Sequence, residues 1–95
     1  MTQEQLDAIL KQLSAKPDKE GWWVMPEGAL LTVHIAHEGA AISISRLESL
    51  RVDGAIVTAR THKRELYCFV RDDIFALASD AAVGEKGRSR AGFGG

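Results

Sequence analysis

The sequence has a single cysteine, two prolines and few aromatic residues, and its charges nearly cancel, giving a formal net charge of −1. Each shortage excludes something. One thiol, Cys68, cannot staple a fold, which removes the disulfide-framed secreted scaffolds and suits a reducing compartment; a cytoplasmic location is the expectation. No apolar run approaches the roughly 20 residues that cross a bilayer as a helix, so no membrane partner is expected. The near-neutral balance excludes a strongly basic nucleic-acid-binding body. It does not exclude a local basic patch. With 95 residues the chain makes one domain. A chain of this size buries only roughly 60–65% of its unfolded surface, so association with another chain would help it.

The charge is unevenly spread. Residues 84–95 carry Lys86, Arg88 and Arg90 against Glu85, while the preceding residues carry nine basic and twelve acidic side chains. That last segment, GEKGRSRAGFGG, is rich in glycine and holds one large apolar residue, Phe93. It reads as a flexible basic tail after a domain spanning 1–83.

Residues 2–16 predict an amphipathic helix. Thr2 and Gln5 have the spacing of a capping box, Leu6, Ile9, Leu10 and Leu13 share one face, and Pro17 ends it. From Gly21 the period changes to two, and strands are expected within 21–79. Trp22 to Met25 is a short strand closed by Pro26-Glu27-Gly28. Leu31, Val33 and Ile35 alternate with polar residues, as do Ile42 and Ile44 after the Glu38-Gly39 turn. Leu47 and Leu50 fall out of phase with Ile42 and Ile44. Residues 45–52 therefore form either a bent strand with a bulge or one capped helical turn, and the bent strand is preferred because the segment is short. Asp53-Gly54 signals a hairpin into a strand over 55–61. A polar turn, 62–64, leads to the apolar strand Leu66–Val70. There Arg71-Asp72-Asp73 interrupts the apolar run before Ile74 and Leu77 resume it, which reads as a tight connection leaving and re-entering the core. Short strands, tight turns and one helix predict a mainly β fold, a small, strongly bent antiparallel sheet or barrel of the SH3 or Sm type.

The stretch FVRDDIFAL resembles the second motif of the Sm-like family, which includes the bacterial Hfq proteins. Val70-Arg71 matches its apolar-Arg step, and Ile74 and Leu77 match its last strand. TVHIAHEG resembles the first strand and turn of the family's first motif, and Leu47, Leu50 and Asp53 its bent second strand and loop. Asp72 stands where the family has glycine, and the asparagine of the first motif's loop is absent. The resemblance implies a ring of six or seven copies that binds uridine-rich single-stranded RNA, with Arg71 at the pore.

Other candidates are weighed from the residues alone. His34, His37 and Glu38 contain metal-ligand types, but His34 and His37 would point to opposite faces of a strand. Asp72-Asp73 and the pair Cys68 with His62 lack a catalytic constellation. Cys68, between Tyr67 and Phe69, is expected to be buried and inert. The terminal Gly94-Gly95 has the look of a ubiquitin-like tail on a different order of elements. Arg60, His62, Lys63 and Arg64 form the dense basic cluster of the body; such a cluster is first of all a solvated turn that keeps the chain soluble, and secondly a contact for phosphates. Trp22 and Trp23 face opposite sides of a strand, and the outward one is either an interface anchor or a side chain covered by the N-terminal helix. The expectation is a non-enzymatic interaction module without a cofactor, self-associating or binding a protein partner. Its candidate contacts are Trp22, Trp23, Arg60, Lys63, Arg64, Arg71, Arg88 and Arg90. An Sm-like RNA-binding oligomer is the alternative.

Overall fold

The computed structural model describes residues 1–80. Residues 81–95 lie outside this description, and with them the end of the expected domain, the expected tail, and Arg88 and Arg90. One helix precedes a strongly curled antiparallel sheet, a half-barrel. The helix α1 spans Gln3–Gln12 and opens with the expected capping box. The Thr2 hydroxyl accepts from the Gln5 N–H at 3.1 Å, and the Gln5 side chain accepts from the Thr2 N–H at 3.0 Å. Leu6 and Leu10 are fully buried against the sheet.

The helix ends earlier than its expected limit at residue 16. Ser14 adopts φ 70°, the left-handed region, and donates its N–H to the Lys11 carbonyl, while Ala15 donates to Leu10. These two bonds make a Schellman cap with serine at the position glycine usually takes. Lys16–Pro17 then forms the two-residue strand β1, which lies ahead of the expected strand region.

The remaining strands are β2 (Trp22–Val24), β3 (Leu30–His37), β4 (Ala40–Asp53), β5 (Ile56–Thr61), β6 (Leu66–Val70) and β7 (Ile74–Asp80). A 3₁₀ turn, Arg71–Asp73, joins the last two. The strand order is β1-β2-β4-β3-β7, with β5 on the other side of β4 and β6 beyond β5. The long strand β4 is the spine. Its first half pairs with β3, and its second half pairs with β2 and β5 on opposite edges.

Residues 45–52 are a bent strand, and two bulges explain the broken phase. Val33 faces Ile44 but Leu31 faces Leu47, so β4 carries one extra residue there, with Arg46 at φ 62°. Leu47 faces Thr61 while Ser49 faces Arg60, so Glu48 is a second extra residue. Each insertion restores the inward phase, which puts Ile44, Leu47, Leu50 and Val52 on the core side; bulges also bend a strand and tighten its twist. A third bulge, at Phe75, does the same in β7: Ile74 faces Ile35 and Leu77 faces Val33, so residues three apart both point inward.

The core is formed by Leu6 and Leu10 from α1 with Leu31, Val33, Leu47, Leu50, Val57, Ala59 and Ile74 from the sheet. The Met1 amino group donates to the carbonyls of Arg71 and Ile74, at 3.4 and 3.2 Å, which sets the start of the helix beside the 3₁₀ turn. No helix among the described residues is long and apolar enough to cross a membrane.

Candidate functional site

Two features of the sheet stand out, an open edge and a basic face. The edge is β6. Its only partner among the described residues is β5. In that ladder Thr61 donates to Glu65 and Arg71 to Ala55. Given the register Val57 to Phe69 and Ala59 to Tyr67, the odd-numbered residues of β6 bond toward β5. The backbone N–H and C=O groups of Leu66, Cys68 and Val70 therefore point away from the sheet. Side chains are exposed on both faces: Leu66 is 60% exposed, Tyr67 42% and Val70 40%. Phe69 alone in this strand packs against the core. Cys68 is exposed, which corrects the expectation of a buried thiol. An apolar run signals burial only when the strand is covered, and β6 lies at the margin of the sheet. The far edge of β7 is likewise unpaired among the described residues.

The basic face is the outer surface of β2, β4 and β5. Trp23 packs against the core, which leaves Trp22 on the outer face directly opposite Arg51. The Arg60 guanidinium lies over the Trp22 ring at 4.6 Å, and that of Arg51 stands 5.9 Å from it. Arg60 reaches the ring from β5 diagonally across β4, since its own β4 partner is Ser49 while that of Trp22 is Arg51; the small Ser49 side chain is covered, 1% exposed. Glu48 is the carboxylate beside this cluster, 3.7 Å from the Arg60 Nε, and that Nε has no hydrogen-bond partner. A groove of about 460 Å³ runs alongside, with Val24, Met25, Pro26, Glu48, Ser49 and Arg60 among its lining residues.

The turn after β5 adds further charge. The Thr61 hydroxyl accepts from the Lys63 and Glu65 N–H groups at 3.1 and 3.0 Å, shaping the turn that carries Lys63 and Arg64. His62 donates its N–H to the Arg46 carbonyl, which draws Arg46 to the same end. The structure thus joins Trp22 and Arg60, with Lys63 and Arg64 at the neighbouring turn. It adds Arg46 and Arg51, which the sequence reading missed. Only strand register brings these two to Trp22 and the turn, and no local motif encodes it.

Arg71 stands apart from this cluster. Its guanidinium donates to the Gly54 carbonyl at 3.0 Å and to Gln3 at 3.4 Å, tying the 3₁₀ turn to the β4–β5 hairpin and to α1. His34 hydrogen-bonds Ser43, and His37 lies between Glu38 and Asp73. Among the described residues no three His, Cys, Asp or Glu side chains converge as metal ligands. The half-barrel is compatible with a small barrel fold. Comparisons with protein-family models, curated proteins and solved structures give no significant match to this chain.

Proposed function

We propose that this protein is a non-enzymatic module that assembles with copies of itself through the edge of β6. The observation that carries this is the run of outward N–H and C=O groups at Leu66, Cys68 and Val70, flanked by exposed apolar side chains. Unpaired edges template strand addition, and proteins that remain single blunt them with lysine, proline or a bulge. Residues 66–70 contain none of these. Static light scattering on a sizing column tests the reading. A mass at a multiple of 10.3 kDa is expected. A monomer at every concentration up to hundreds of micromolar overturns it.

The basic face favours a second reading, contact with single-stranded RNA. Arg51 and Arg60 stand at Trp22, and Arg46, Lys63 and Arg64 lie at the turn after β5, on a body whose first 80 residues carry nine basic and twelve acidic groups. Guanidinium and ammonium groups hold phosphates, and an indole stacks on bases of any sequence. In an Sm-like ring Arg71 would also face the RNA, yet here its guanidinium is occupied by the fold. Fluorescence anisotropy with a labelled oligouridine checks this reading. Affinity should fall steeply with salt, and Arg51→Gln should lower the salt slope by about one. No binding at low salt removes the reading.

A further inference from the structure

We infer that two copies join β6 to β6 in antiparallel fashion about a two-fold axis at Cys68. The inference rests on the self-association proposed above and adds its partner strand, register and symmetry.

The residues around Cys68 are self-complementary when read in opposite directions. The stretch Lys63-Arg64-Glu65-Leu66-Tyr67-Cys68-Phe69-Val70-Arg71-Asp72-Asp73 has Cys68 at its centre. Antiparallel pairing about that centre sets Leu66 opposite Val70 of the second copy, and Tyr67 opposite Phe69 of the second copy. Cys68 meets its own equivalent. Beyond the strand the chain leaves the ladder at both ends, so exact pairs end there. Lys63 and Arg64 nevertheless face Asp72 and Asp73 of the second copy, an end of one sign against an end of the other.

The backbone agrees with this register. The outward groups belong to Leu66, Cys68 and Val70. With the axis at Cys68, each of these three meets another outward residue and exchanges both bonds with it. Tyr67 and Phe69 then fall at the sites without backbone bonds, where Cα atoms stand about 4.5 Å apart and aromatic pairs contribute most. A register shifted by two residues leaves one outward residue of each copy unpaired. It also places Tyr67 against Tyr67, or Phe69 against Phe69. Twofold pairing is isologous and closes on itself, so it ends at a dimer and does not extend into a fibre.

Cys68 is the single thiol of the chain and serves as the probe. The full chain is treated with a short bismaleimide at a concentration where light scattering has fixed its mass. A dimer that converts to a covalent dimer through Cys68 is expected. Charge exchange then tests the register. Arg64 and Asp72 are both exposed, the latter with its side chain 77% accessible, so neither change threatens the core. Arg64→Asp and Asp72→Arg should each weaken the dimer by about tenfold, and the double variant should recover it. A dimer or larger assembly without Cys68 crosslinking overturns the inferred register and leaves self-association standing. So does crosslinking of Cys68 to a cysteine placed on the β7 edge by Ser79→Cys, or charge variants that do not restore each other. A monomer overturns both proposals.

Discussion

Leu66→Ala separates assembly from folding most sharply. Leu66 is 60% exposed at the free edge, on the face it shares with Cys68 and Val70. Full burial of a leucine stabilises by about 1.5–3 kcal/mol, so covering the exposed fraction contributes about 1–2 kcal/mol per copy. Alanine keeps roughly a third of that area, and a symmetric assembly loses the contact twice. The net loss is about 1.5–2.5 kcal/mol per dimer, a rise in Kd of roughly 10- to 70-fold. The fold loses little, because substitutions at exposed positions usually stay within about 0.5 kcal/mol. Sedimentation equilibrium over a dilution series reads the association, and thermal melts at concentrations below the Kd read the isolated fold. The expected result is weakened assembly with melts that coincide with the parent chain. Unchanged assembly in a folded variant would refute the argument that β6 is the contact.

Two further outcomes concern the fold. Ser14→Gly removes a left-handed strain of about 1 kcal/mol at the end of α1 and gives back part of it in chain entropy. The net gain is about 0.5 kcal/mol, a rise of roughly 2–4 °C in Tm by differential scanning calorimetry; a fall in Tm would count against the Schellman cap. Thr61→Val keeps the shape of the side chain but removes the acceptor for the Lys63 and Glu65 N–H groups. Urea denaturation should show a loss of about 1–3 kcal/mol, and an unchanged midpoint would show that the hydroxyl does not hold the turn.

The sequence was most legible where one residue type decides the local geometry. Thr2 and Gln5 mark the helix start, Asp53-Gly54 marks a hairpin, and the charges of Arg71-Asp72-Asp73 mark a tight turn between two strands; the structure has all three, although the strand before that turn lies at the sheet margin and not in the core. It was less legible where geometry is set by context. Ser14 takes a backbone conformation that glycine would have announced, so the sequence pattern alone carries the helix past its true end. The phase of β4 is readable only with its bulges counted: Ile42, Ile44, Leu47, Leu50 and Val52 keep a period of two once Arg46 and Glu48 are taken out of register. The candidate site was legible in part. Trp22 and Arg60 could be named as contact residues, but Arg51 joins them only through pairing of β2 with β4, which is non-local. The edge shows the same limit in reverse. An apolar strand such as Leu66–Val70 looks the same in sequence whether the domain or a second chain covers it. Among the described residues the half-barrel ends at β6, so its apolar side chains are left for another surface to cover. The mirrored order of residues on either side of Cys68 makes a second copy of the chain a fitting one.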